Sequence, residues 1–306
     1  MRKNEKLDKT DIYQRITDQI IDSLESGTGP WIKPWNDSSH LWGPYRNGVT
    51  ERPYRGINIL LLNLVSFDKG YSDPRWLTFN DARKLGGHIK KGERHTKIVF
   101  WKQLKIEDKD KHVVGTDDEK TQKSKVIPIV RVHRVFNVEQ CVGLNLKEIT
   151  VPDKGNHEDE LNDNAEQILA LPVIHHGQRI AAYNRKRDFI MLPPRQSFES
   201  ANHYYATGCH EVVHWTGHES RLARTFGNRF GDKKYAFEEL VAEIGAAFLG
   251  GSAGLPFKEM RHPEYIQSWI STLKENKRAI FTACRQAQAA SDYVFEKVRT
   301  REQQTA

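Results

Sequence analysis

Two histidines four residues apart with a glutamate beside the first, His210-Glu211-Val212-Val213-His214, constrain this chain more than any other stretch of its 306 residues. On a helix, positions i and i+4 share one face, so both imidazoles reach a single ion and Glu211 reaches a water on that ion. A catalytic zinc takes three protein ligands and keeps one position open, so a third donor must arrive from elsewhere. His218 is nearest in sequence, but a continuous helix would set it about 12 Å of rise from His210, too far for ligand bonds near 2 Å. It joins only if the helix breaks at Gly217. The longer zinc motif with a later third histidine also fails, because Ser220 holds that position. A second expected helix, Tyr235 to Glu243, offers Glu239 and Glu243 at i and i+4. We assign Glu239 to the metal and Glu243 to orienting a ligating histidine through its other ring nitrogen, with Glu238 as the alternative. The expected chemistry is metal-assisted peptide hydrolysis with Glu211 as the base. Tyr204, Tyr205 and Tyr235 are open alternatives for a donor to the carbonyl oxygen. Imidazoles favour zinc; the carboxylate also admits manganese or cobalt.

The charge points to a second partner. The net charge is +7, and all of the excess precedes residue 150: 27 basic against 20 acidic residues there, and 20 of each beyond. Lys84, Lys90, Lys91, Arg94 and Lys97 crowd one segment, and five of the seven tryptophans (Trp31, Trp35, Trp42, Trp76 and Trp101) lie in the same half. Cations interleaved with aromatic rings suit single-stranded nucleic acid, because the cations track phosphates while rings stack on bases. The phosphate candidates are Arg52, Arg55, Lys84, Lys90, Lys91, Arg94 and Lys97, with Tyr54 beside them. The stacking candidates are Trp31, Trp35 and Trp76. The competing reading is that the tryptophans are core and the lysines a solvated face.

The longest mainly apolar run, Ile57 to Val65, is far short of the roughly 20 residues that span a bilayer, and the charged start lacks the apolar stretch of a secretory signal. No membrane partner is expected. Three widely spaced cysteines suggest no disulfide framework, and a reducing cytoplasm fits them.

Hydrophobic periodicity gives an α+β chain of two domains. Ile12, Ile16, Ile20 and Leu24 form a helical stripe ended by Ser26-Gly27. A helix is expected from Gly56 to Phe67, and a capped short helix from Thr78 to Gly86-Gly87. Strands are expected from Lys97 to Leu104 and from Val126 to Val138, with a polar hairpin loop or insert, Glu107 to Lys125, between them. Residues 151–164 are polar and turn-rich and read as a linker between domains 1–150 and 165–306. Beyond it come a helix near Ala165 to Leu171, strands near Arg179 to Tyr183 and Phe189 to Leu192, and a mostly helical region.

Five blocks in order carry a family resemblance: Pro53-Tyr54-Arg55-Gly56-Ile57-Asn58, Trp76-Leu77-Thr78-Phe79, Val135-Phe136-Asn137-Val138-Glu139-Gln140, His210 to His218, and Phe237-Glu238-Glu239-Leu240-Val241-Ala242-Glu243. Through them the chain resembles the plasmid-borne ArdC antirestriction family, and its C-terminal half resembles zincin-type metallopeptidases of the SprT and Spartan kind. The resemblance implies an N-terminal single-stranded DNA-binding domain, also found joined to plasmid primases, and a mostly helical metallopeptidase-like domain. It further implies a protein that coats plasmid DNA entering by conjugation and shields it from restriction endonucleases. The rival is a DNA-directed protease that cleaves a bound partner, such as a restriction subunit. One departure is Gly208-Cys209 ahead of His210, where larger aliphatic residues are expected; looser local packing would follow.

Overall fold

The computed structural model describes residues 11–27, 29–31, 45–107, 124–147, 161–177, 179–227, 233–255 and 265–305. Helix α1 (Ile12–Glu25) starts where the Asp11 carboxylate accepts from the Tyr13 N–H, and it buries Ile16, Ile20, Ile21 and Leu24 on one face. Helix α2 (Ile57–Lys69) ends at Gly70, whose φ of 68° is the left-handed conformation that closes helices. Thr78 and Asp81 form a reciprocal capping box that starts the short helix α3 (Phe79–Lys84).

Around these helices lies a four-stranded sheet in the order β1-β2-β5-β4, formed by β1 (Arg46–Asn47), β2 (Arg75–Leu77), β5 (Ser124–Asn137) and β4 (Thr96–Glu107). The long antiparallel hairpin of β4 and β5 pairs Thr96 with Val135 and Glu107 with Ser124. Most of the expected insert between them lies outside the described residues. Two-residue strands β3 (His88–Ile89) and β6 (Cys141–Val142) pair beside the sheet. Strand β4 is an edge, and its exposed backbone is covered at one point by α2: the Asn58 side chain donates to the Val99 carbonyl at 2.8 Å and accepts from the Val99 N–H at 2.9 Å.

The second half has α4 (Asp163–Leu169), then β7 (Ile174–His176), β8 (Ala182–Asn184) and β9 (Phe189–Leu192) in the order β7-β9-β8. Four helices follow: α5 (Ala201–Thr216), α6 (Lys233–Ala253), α7 (Ile266–Glu275) and α8 (Ala279–Thr305). This is a two-part α+β architecture with a helical C-terminal region, and the expected helix near residue 165 and strand near residue 189 are present. The expected strand at 179–183 sits instead at Ala182–Asn184, and β7 is an addition. Both strands are three residues long, too short to establish an alternating pattern in sequence.

The largest apolar cluster spans both halves: α1 and α2 contribute Ile16, Ile20, Leu60 and Leu61, while α5 to α8 contribute Val213, Leu240, Trp269 and Ile280. Trp31 meets Trp269 nearly edge-on at 5.7 Å between ring centroids. Helices α5 and α6 sit inside this cluster. No helix among the described residues is long and apolar enough to cross a membrane.

Candidate metal centre

Helix α5 begins where Ser200 accepts from the His203 N–H and ends at Thr216, with Gly217 as its cap. The helix therefore stops within a turn of His214, and His218 lies beyond the break, bonded through Nδ1 to Ser220 at 2.8 Å. It takes no part in the ligand cluster. Helix α6 crosses behind α5 at close range. A Cβ added at Gly245 would lie 2.8 Å from Val213 Cγ2, so the glycine is what lets the two helices approach. Gly208 serves α4 in the same way. The space a larger residue would take is filled by Leu169, so the departure noted in sequence is compensated packing rather than a loose spot.

That approach brings His210, His214 and Glu239 together, one donor atom from each within 4.8 Å of the others. The His210 and His214 Nε2 atoms are 3.2 Å apart; Glu239 Oε2 is 3.3 Å from the first and Oε1 3.5 Å from the second. All three residues are buried. Two ring nitrogens and a carboxylate aimed at one dry point require a positive charge between them. Burial alone would strip the proton from His214, but the Glu238 and Glu239 carboxylates outweigh it and hold the imidazolium pKa up at about 10. For His210 burial wins and the pKa falls, while Glu239, raised by burial, is brought down by its two histidine partners. A donor set of two imidazoles and one carboxylate fits a divalent transition metal.

The other ring nitrogens face carboxylates. His214 Nδ1 faces Glu238 Oε1 at 3.2 Å, and His210 Nδ1 faces Glu243 Oε1 at 3.7 Å. Glu238, the sequence alternative for a metal ligand, is thus turned away from the cluster. It is engaged by Arg224, whose Nη2 lies 2.7 Å from Glu238 Oε1 and also donates to the Val213 carbonyl at 2.6 Å, while Nη1 donates to Thr216 Oγ1 at 2.8 Å. Arg224 ties the loop after α5 to both helices. No motif marks it, because an arginine between helices normally reads as a solvated residue. Glu211 is buried beside the ligands on α5.

The three tyrosines separate by their partners. The Tyr204 hydroxyl lies 2.9 Å from His176 Nε2, and Tyr205 donates to Glu166 at 2.5 Å, so both are occupied away from the cluster. Tyr235 is half-buried. Burial first, then the adjacent Glu239 carboxylate and Tyr265, push its phenol pKa up, which keeps the hydroxyl protonated beside a ligand candidate.

In the other half, Arg52, Arg55, Lys84, Lys90, Lys91 and Arg94 are exposed, and Lys97 is half-buried on β4. Lys90 donates to the Glu139 carbonyl at 2.8 Å, and Arg55 is ion-paired with Asp292 of α8. Trp31 and Trp76 must be withdrawn as stacking candidates: they are 5% and 0% exposed, Trp76 packed against Tyr71, so neither offers a ring face to a base. Tyr54 is also buried, its phenol pKa pushed up to about 12 by that burial. Trp35 lies outside the described residues. Among the described residues the exposed rings of this half are instead Phe67, Phe79, Phe100 and Trp101. Consecutive aromatics in a strand must point to opposite faces, a signal that one of Phe100 and Trp101 turns away from a one-sided core.

Comparison with known proteins gives one consistent result. The N-terminal domain of anti-restriction factor ArdC matches residues 10–136, and a zincin-like metallopeptidase domain matches residues 163–286. The antirestriction ArdC protein of plasmid R388 superimposes in its metal-free form with a TM-score of 0.77 at 39% identity, covering 95% of this chain and 98% of that one. Its Mn(II)-bound form gives 0.73 at 36% identity, covering 94% and 98%. An uncharacterized protein of Sinorhizobium fredii, y4eC, is 34% identical over 93% of this chain and 92% of its own length. Two DNA primases TraC of Escherichia coli are 35% and 34% identical over 97% and 98% of this chain, which spans only 28% and 21% of their lengths.

Proposed function

From the premise that this chain belongs to the ArdC antirestriction family, we propose that it binds single-stranded DNA and protects conjugatively transferred plasmid DNA from restriction, and that it carries a metal-dependent peptidase site. The convergence of His210, His214 and Glu239 carries the enzymatic part of this reading. The match to the ArdC N-terminal domain and the clustered basic side chains of the N-terminal half support the nucleic-acid part, with Arg52, Arg55, Lys84, Lys90, Lys91, Arg94 and Lys97 as phosphate contacts.

His210, His214 and Glu239 would hold a divalent ion, which would supply Lewis-acid chemistry for carbonyl polarisation and water activation. The residues of the chain do the rest. Glu238 fixes the His214 imidazole and Glu243 stands behind that of His210, with both Nε2 atoms turned to the common point, and Glu239 contributes the negative charge that would balance the ion. Glu211 takes the proton from the attacking water and returns it to the departing amine nitrogen. Tyr235 donates its hydroxyl proton toward the carbonyl oxygen as charge develops there.

The test is restriction protection in a recipient cell by the Glu211→Ala variant, with metal and DNA binding measured beside it. Loss of protection with both bindings intact means that hydrolysis of a protein, a restriction subunit or another protein held on DNA, is the working activity. Protection at the wild-type level means that coating of the strand suffices and the peptidase reading of the biological role fails. Failure of the wild-type protein to bind single-stranded DNA removes the whole proposal.

A further inference from the structure

A cavity of about 900 Å³ lies between the edge strand β4, the turn at 47–56 and helix α8. That size is within the range of ligand pockets. Phe100 and Trp101 stand on its rim at 45% and 47% exposure, although both are held by neighbours. The Trp101 indole N–H reaches the Tyr13 hydroxyl at 3.4 Å and its ring meets Phe281 of α8 at 5.9 Å; Phe100 meets His133 at 5.1 Å. Large rings fixed in place but left half in water lose little freedom when a flat partner covers them.

The charge of the lining is one-sided. It carries Arg52, Arg55, Arg278 and Arg285 against a single acid, Asp292, and that acid is already paired with Arg55. Arg52, Arg278 and Arg285 are exposed, and Arg278 lies 4.9 Å from the centre of the Tyr13 ring. A second cavity of about 470 Å³ adjoins the first across the Arg55–Asp292 bridge, which extends the concavity along α8. An extended peptide joining the β4 edge would need the Val99 backbone groups, and Asn58 already occupies them. Duplex DNA keeps its bases stacked inside and cannot offer them to recessed rings.

We propose that this groove seats single-stranded DNA, with Trp101 and Phe100 stacking on bases and Arg52, Arg278 and Arg285 holding phosphates. The proposal rests on the reading of the chain as a single-strand binder and adds where the strand lies. Its consequence is that the grip is shared: Arg278, Phe281 and Arg285 belong to the segment that matches the zincin-like domain, Arg278 just ahead of α8 and the other two on it, and α8 packs against α6.

The experiment is fluorescence anisotropy of a labelled oligothymidylate with the full chain, across a salt series. Trp101→Ala should weaken binding roughly 5- to 150-fold, the range for removal of one stacking ring. The double variant R278A/R285A, altered only at exposed positions, should weaken binding and reduce the slope of log affinity against log salt by about 2. A K84E/K91E/R94E variant shows that the assay registers phosphate contacts. If that variant binds weakly while Trp101→Ala and R278A/R285A bind like wild type, the groove is not the seat although the chain binds DNA. If wild type binds no oligonucleotide, the underlying functional reading fails with it.

Discussion

Glu238→Gln is the substitution that separates an organised metal centre from a chance cluster of histidines and acids. Glu238 accepts from two cationic or polar donors at once, the Arg224 fork and His214 Nδ1. Glutamine keeps the volume but has one acceptor oxygen, and its amide nitrogen must face a donor. The side chains of Arg224 and Glu238 are 4% and 3% exposed, so the lost charge leaves a guanidinium buried without its counter-ion. Breaking a buried pair in this way costs about 3–5 kcal/mol, and the retained oxygen sets the expectation at the lower end, about 3 kcal/mol in urea denaturation of the metal-free protein. The second effect is on the ion. Removing a carboxylate behind a ligating histidine weakens metal binding about 10- to 100-fold, or about 1.4–2.7 kcal/mol, readable by calorimetric titration with Mn(II). The double variant R224M/E238L removes both charges and should recover most of the stability, since a buried pair can be replaced by apolar groups at little cost. It should not recover metal affinity, because His214 still lacks its support. Wild-type Mn(II) affinity in Glu238→Gln would refute the reasoning.

Three further outcomes follow from the same geometry. Gly245→Ala places a Cβ against the stiff Val213 side chain and should cost about 1–3 kcal/mol while weakening Mn(II) binding, because it wedges α6 away from α5; a melt and a titration measure both. Tyr235→Phe should lower kcat on any cleaved peptide about 10²- to 10³-fold with Mn(II) affinity unchanged, the signature of a lost oxyanion donor. Asp188, held near 2 chiefly by its hydrogen bond from Arg221, is deprotonated more readily in the folded chain than at its ordinary 3.8. The stability it contributes is therefore full above about pH 4 and is lost as pH falls toward 2. The shift alone corresponds to roughly 2.5 kcal/mol, but Asp188 is 37% exposed, so about 1 kcal/mol is expected after screening. Asp188→Asn, which tolerates the local φ of 53°, should flatten the acid limb of a stability–pH curve by that amount.

What sequence conveyed and what it hid follow from how far each feature acts along the chain. Helix α1 was legible because its isoleucines repeat at helical spacing on one buried face. The candidate ligands His210 and His214 are legible from their i, i+4 spacing, and Glu239 only as one of several glutamates on the next helix. The helices themselves carry no amphipathic stripe, because both lie inside the core. Glu238 and Glu239 are neighbours in sequence and differ in place, and only the angle at which α6 crosses α5 decides which one meets the two Nε2 atoms and which one lies behind His214 at Nδ1. Arg224, Leu169 opposite Gly208, and Arg278 and Arg285 beside Trp101 depend on contacts between distant segments, which no local pattern records. The tryptophans show the same limit. Composition counted five in the N-terminal half, yet Trp31 and Trp76 pack inward and Trp101 on the sheet edge does not.

The account rests on one ion shared by α5 and α6, and an anomalous-difference map of crystals soaked in Mn(II) addresses it directly. It predicts a single strong peak about 2.0–2.2 Å from His210 Nε2, His214 Nε2 and a Glu239 oxygen, and no such peak in crystals of the Glu239→Ala variant. A peak at another place, or one at the histidines that survives the loss of Glu239 undiminished, would contradict it.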